Sequence, residues 1–165
     1  MALVIEDGSI VSGANSYAAH TDLATYADLR DVTLTTDQGE REALLIKAMD
    51  ALYGRPWKGE RVSIDQELEW PRSGVYRDGQ LLAYDEIPRE LFYGQMALAL
   101  AAIDVDLTPA QEANAKGPIT EERVEGAITV KYANPGSVSQ VAAVSDADAL
   151  LRVLEQRSGL KVVRA

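Results

Sequence analysis

The residues best suited to chemistry lie in two neighbouring stretches. Arg55-Pro56-Trp57-Lys58-Gly59-Glu60-Arg61 sets one tryptophan among four charged residues. An aromatic ring beside basic side chains is the combination that stacks a nucleobase and holds its phosphate; the other reading has Trp57 docked inward and the charges left in water. Downstream, Gln66 to Gly74 reads QELEWPRSG, with Leu68 and Trp70 on one face of an extended chain and Glu67 and Glu69 on the other. Pro71 removes an N–H and biases Trp70 toward an extended conformation, and Gly74 permits the turn that follows. Trp70 is thereby presented at a bend, either as a plug for the local core or as a contact with another subunit, where tryptophan is enriched at hot spots.

Other candidate chemistry is weaker. The carboxylate pairs Glu67/Glu69 and Glu121/Glu122 would need a pocket to shift their titration, and an acidic chain produces such pairs freely. Asp104 and Asp106 match the first two ligands of a calcium loop, but the later glycine and glutamate are not at the required spacing. His20 is the single histidine, with no serine–acid constellation pointing to it, and there is no cysteine. Disulfides, thiolate nucleophiles, iron–sulfur clusters, cysteine-bound zinc and multi-histidine metal sites are excluded. No glycine-rich phosphate loop, nucleophile elbow or metal-binding helix motif is present. We expect no enzyme: no catalytic residue, no metal ligand and no cofactor.

Stepping from residues to chain, 165 residues with 47% hydrophobic and 25% charged content fit one soluble globular domain. The net charge of −10 is opposite to the footprint of a protein that gains affinity by neutralising phosphates. MALVIEDGS lacks the basic region of a secretory signal, and the apolar run Met96 to Ile103 is far below the roughly 18 residues of a membrane span. The expectation is a soluble protein made in the cytoplasm, with no membrane partner.

Periodicity and capping signals give the elements. Leu3-Val4-Ile5 reads as a short strand, and Thr21 caps a helix from Asp22 to about Arg30. Thr35 and Gln38 form a capping box for a helix from Thr36 to about Tyr53. Asp78-Gly79 signals a hairpin, and Pro88 opens a third helix to about Ile103, apolar all round from Met96 and so the buried centre of a bundle. Thr108-Pro109 starts a short helix through Ala115. Glu121 to Tyr132 alternates Ile128, Val130 and Tyr132 as a strand, with Val124 before Gly126; its partner is Leu3 to Ile5, the Leu68 arm or a neighbouring subunit. After the linker Asn134 to Gln140, Ser145 and Asp148 open a helix to about Arg157, stopped by Gly159. The fold class expected is mainly α: a small bundle of about four helices with a short β-strand or hairpin arm and an extended C-terminal tail, divided as 1–144 and 145–165. Arg152, Arg157, Lys161 and Arg164 make that last part basic in an acidic chain.

Four blocks in order, EDGSIVSGANSYAAHTDLATYADLR, QELEWPRSGV, DEIPRELFYGQMALALAA and ERVEGAITVKYA, resemble one family of tailed-bacteriophage proteins, labelled DnaT-like single-stranded-DNA-binding proteins and found among virion structural proteins. The family is similar to head–tail adaptors, helical proteins forming a ring of about twelve copies beneath the portal.

The resemblance implies a structural role in the virion neck after assembly in the host cytoplasm. The implied partners are the portal protein, a downstream head-closure or tail-terminator protein, further copies of the chain, and double-stranded DNA passing through the lumen without specific binding. A ring of about twelve copies at −10 each would carry roughly −120 charges, which repel phosphates and let DNA slide. On this reading Trp70, Val124, Ile128, Val130 and Tyr132 form the subunit interface. Arg157, Leu160, Lys161, Val162, Val163 and Arg164 form an arm that docks on the portal. The alternative is a single-stranded-DNA-binding protein of phage replication or packaging.

Overall fold

A computed structural model describes residues 2–104, 107, 144 and 146–156, and these form four helical segments with two small antiparallel strand pairs. The helices are α1 (His20–Asp28), α2 (Gln38–Leu52), α3 (Arg89–Ala101) and a short α4 over 146–151. The strands are β1 (Glu60–Arg61), β2 (Arg72–Ser73), β3 (Tyr76–Arg77) and β4 (Gln80–Leu81), paired β1 with β2 and β3 with β4. Among the described residues helix thus predominates over strand. No helix among the described residues is long and apolar enough to cross a membrane.

Aspartates, not threonines, set the helix starts. α1 begins two residues before the expected Asp22, because the Asp22 carboxylate reaches back to accept the Ala19 N–H at 2.9 Å and ties down the first turn from inside. Thr21 therefore sits within the helix. α2 is capped by Asp37, whose carboxylate accepts the Glu40 N–H at 2.9 Å, while the Thr35 hydroxyl bonds the Glu40 carboxylate instead of capping. α3 uses Pro88 as the residue before its first turn and buries Leu91, Gly94, Gln95, Met96, Leu98, Ala99 and Ala101. It is the bundle centre that its apolar sequence calls for, packed most extensively on α2.

The expected N-terminal strand and the extended arm at 66–70 are both held by side-chain hydrogen bonding. Near the N-terminus one parallel bridge forms among the described residues, Ile5 with Ser16. The Val4 N–H is taken by the Asn15 side chain at 2.9 Å, and the Val4 carbonyl accepts from the N–H groups of Asn15 and Ser16. Residues 66–70 keep their alternation, with Trp70 buried and Glu67 exposed, but form no strand. Carbonyls that a neighbouring strand would use are occupied: Gln66 Nε2 donates to Leu68 and Pro71 at 2.8 and 3.1 Å, and the Arg61 guanidinium reaches the carbonyls of Gln66 and Leu68. The Trp70–Pro71 peptide is cis.

The Asp78-Gly79 hairpin forms as its sequence dictates, with φ of 50° and 81° at the two turn residues joining β3 to β4. Between β1 and β2 the backbones approach so closely that a Cβ on Gly59 would lie 2.2 Å from the Ser73 carbonyl oxygen.

α4 ends at Leu151 rather than near Arg157, because the chain turns to run beside the α2 exit. The N–H of Lys58 donates to Leu154 O at 2.9 Å, that of Gln156 donates to Pro56 O at 2.6 Å, and Trp57 bridges Glu155. Arg55 clamps the return with ion pairs to Asp148 at 2.8 Å and Glu155 at 2.9 Å, so Asp148 serves this clamp. Ala147, Leu151 and Leu154 join Leu23, Leu45, Trp70, Leu91, Met96 and Leu98 in one hydrophobic cluster. The core therefore draws on both sides of the division at 144. The strand bearing Val124, Ile128, Val130 and Tyr132, the 108–115 helix, Ser145 and the tail bearing Arg157, Leu160, Lys161, Val162, Val163 and Arg164 lie outside the described residues.

Candidate functional site

The basic aromatic stretch at 55–61 folds into an internal knot. Trp57 is 4% exposed and meets the fully buried Trp70 edge to face, ring centroids 6.1 Å apart and planes at 82°. The cations around the pair are occupied. Arg72 donates to the carbonyls of Lys58 and Gly59, both at 2.8 Å, and contacts Glu69. Arg61 binds the 66–68 carbonyls, Arg55 the two carboxylates of the α4 return, and the Lys58 ammonium the Val153 carbonyl at 2.5 Å. Burial lowers the pKa of Arg72, partly offset by Glu69. Trp57 docks inward; Lys58 and Arg61 donate to backbone carbonyls, Arg55 pairs with two carboxylates, and Glu60 stays exposed. Trp70, expected as core plug or subunit contact, lies wholly inside the core of its own chain.

Of the candidate acid pairs, Glu67 and Glu69 are structural partners as well, while Glu121 and Glu122 lie outside the described residues. Glu67 accepts the Gly13 N–H at 2.9 Å and Glu69 pairs with Arg72. His20 is the half-buried first residue of α1. Among the described residues no group of His, Asp or Glu is placed to hold a metal ion, and Asp104 is described without Asp106.

Polar groups that sequence reasoning passed over organise the interior. Gln95 is fully buried on α3; its carbonyl oxygen accepts the Tyr17 N–H at 3.0 Å, and its amide donates to Ser16 Oγ at 2.8 Å and to the Leu45 carbonyl at 3.3 Å. A lone glutamine in the apolar run GQMALALA was the available signal. Glu6, 1% exposed, gathers the N–H groups of Gly8, Ile10 and Val11 at 2.8–3.0 Å. These charge-assisted bonds hold Ile10 at φ 62°, a conformation that β-branched residues rarely adopt. Gly8 lets this loop touch the turn before α3, where a Cβ would lie 2.0 Å from the Asp85 carbonyl oxygen.

Two further features remain. The Arg30 guanidinium sits 3.4 Å from the Tyr26 ring centroid, Tyr26 lies 5.6 Å from Tyr93, and Arg89 covers Tyr93 at 4.8 Å, a row of cation, two aromatics and cation across α1 and α3. Burial raises the Tyr26 pKa, opposed by Arg30. Beside this row, α1, α3 and α4 enclose a groove of about 600 Å³ with an alanine-rich wall.

No curated protein and no solved structure matches the chain significantly. A family model matches residues 1–165 from end to end, and by that match the chain belongs to the family described as "Putative DnaT-like ssDNA binding protein".

Proposed function

We propose that this chain is a non-enzymatic structural protein of a tailed-phage virion: a head–tail adaptor that assembles as a ring of about twelve beneath the portal, joins it to the next connector component and lets DNA pass. The observation that carries the reading is the fate of the cations around Trp57 and Trp70. Single-strand binding needs free basic groups beside stackable rings. Here both rings are buried, Arg55 and Arg72 are half-buried against partners within the chain, the exposed Arg61 donates to backbone carbonyls, and the chain carries −10 overall. Such a surface suits a lumen that must not hold DNA.

The family's description speaks for the second reading, a single-stranded-DNA-binding protein of replication or packaging. The row from Arg30 through Tyr26 and Tyr93 to Arg89 is the feature that favours it: Tyr26 is itself buried, and Tyr93 with the adjoining Phe92 is partly exposed beside Arg89. A gel-shift series with single-stranded oligonucleotides at about 50 mM salt separates the two. The adaptor reading expects no shift by the isolated protein and rings in the electron microscope, lost when Ile128 and Val130 are replaced by lysine. Tight, salt-sensitive binding that falls on replacing Arg30 and Arg89 by glutamine establishes the second reading instead.

A further inference from the structure

The turn that follows β1 holds one aliphatic side chain out in water on a braced support. Ile64 is 94% exposed, more than any other large apolar side chain among the described residues. A lone exposed aliphatic needs no partner in itself, but both neighbours of this one are fixed. The buried Gln66 side chain accepts the Ser63 N–H at 3.0 Å and donates to the Leu68 and Pro71 carbonyls, while the Arg61 guanidinium ties down the Gln66 carbonyl. The Asp65 N–H donates to Ser63 Oγ at 3.1 Å. A tip preorganised in this way loses little freedom on docking. Next to Ile64, the Asp65 carboxylate is exposed and has no ion-pair partner among the described residues.

We infer that Ile64 and Asp65 of one copy seat in the pocket between Leu3 and α2 of a neighbouring copy. The inference rests on the ring reading and supplies its subunit contact. The pocket measures about 310 Å³, and Leu3, Ala43 and Ile46 give it an apolar lining. Two of its polar side chains are engaged within the chain: Asn15 accepts the Val4 N–H, and Glu42 accepts the Gln38 amide at 2.7 Å. Lys47, which also lines it, is exposed and has no ion-pair partner among the described residues. An apolar tip with an unpaired acid beside it thus meets an apolar seat with an unpaired cation beside it. Charge rejects the larger groove between α1, α3 and α4, where Asp104 and Asp146 would face Asp65 and Arg30 is already stacked on Tyr26. The exposure of Ile64 rejects the chain's own pocket, since a side chain seated there would be covered. A pocket filled from the next copy is a head-to-tail contact, which closes into a ring when its rotation allows.

Charge exchange in the full-length chain tests this, with sedimentation velocity reading the assembly and circular dichroism confirming the fold. The native chain should sediment as an oligomer. Ile64→Asp, which puts a charge into the apolar seat, should weaken association by at least about tenfold. Asp65→Lys and Lys47→Asp should each weaken it too, and the double variant carrying both, or a one-to-one mixture of the two single variants, should restore it. Ile46→Arg should block the seat, whereas Ile103→Arg, in the pocket on the other side of Lys47, should not. Assembly that survives Ile64→Asp, an exchange that restores nothing, or a block by Ile103→Arg in place of Ile46→Arg overturns this contact and leaves the ring standing on another surface. Restored assembly that stops at two copies establishes the contact and overturns the ring. A native chain that is monomeric at its highest soluble concentration overturns both.

Discussion

The backbone N–H of Trp70 donates to the hydroxyl of Tyr17 across 3.0 Å, joining the bend after 66–69 to a loop 53 residues earlier in the chain. Both residues are buried, and the Tyr17 N–H is itself held by Gln95. The N-terminal loop, the Trp70 bend and α3 are thus tied by one chain of hydrogen bonds.

Removing the Tyr17 hydroxyl should be costly because it leaves a buried amide without an acceptor. Tyr17→Phe is expected to lower stability by about 1–3 kcal/mol in urea unfolding, with little change in helical content. The native chain also acquires an alkaline limit from this residue. Burial raises the Tyr17 pKa far above its ordinary value of 10.0, so the folded state keeps the proton that the unfolded state releases. That stability is fully present below pH 10 and declines as pH rises beyond it toward the folded-state value. Tyrosinate absorbance should therefore show one late, unfolding-linked tyrosine in the native chain, absent from the variant.

Gln95 makes a stronger case, since one side chain serves three partners. Gln95→Met preserves volume but strands the Tyr17 N–H and removes donors from Ser16 and Leu45. A loss of at least about 2 kcal/mol is expected in chemical denaturation. Nearly native stability would mean that the interior reorganises around the apolar side chain.

The sequence made helices legible and concealed the polar interior, for a physical reason. Helix existence is written in local spacing, so α2 and α3 follow from their periodicity, and the Asp78-Gly79 turn follows from two residues. Even there, cap choice depended on side-chain reach: Asp22 and Asp37 took the roles read for Thr21 and Thr35. Trp57 with its flanking cations shows the larger limit. The stretch allows both a base-stacking platform and an inward-docked ring with its charges in water, because local sequence cannot reveal that the Lys58 and Gly59 carbonyls will be claimed by Arg72, or that Arg55 will be claimed by α4. Glu6 is likewise one acid among many until the Gly8–Val11 amides fold around it.

That carboxylate gives a third prediction. Glu6→Gln retains one acceptor oxygen but loses the charge that strengthens all three bonds. Hydrogen exchange should speed up at Gly8, Ile10 and Val11 while α2 and α3 keep their protection. Ile10, held at φ 62° by this contact, should relax toward negative φ. Unchanged exchange at these three amides would assign the loop's order to the Gly8 contact with Asp85.

The last prediction concerns the docking of α4, which rests on Gly94. A Cβ there would lie 2.4 Å from Leu151 Cδ2 and 2.8 Å from its Cγ, and Leu151 is itself fully buried. Gly94→Leu therefore overpacks the α3–α4 contact, at a cost of about 1–3 kcal/mol. The strain should release by lifting α4, since α2 and α3 are the more extensively packed pair and α4 is held at its far end mainly by the Arg55 ion pairs and the 56–58 hydrogen bonds. Lifting α4 would uncover Trp57, so its fluorescence should shift to the red while most helical circular dichroism remains. Arg55→Met, which cuts the ion pairs but leaves the Leu151 seat intact, should have a smaller effect on both readouts. If Arg55→Met instead matches Gly94→Leu, the ion pairs rather than the leucine seat hold α4 in place.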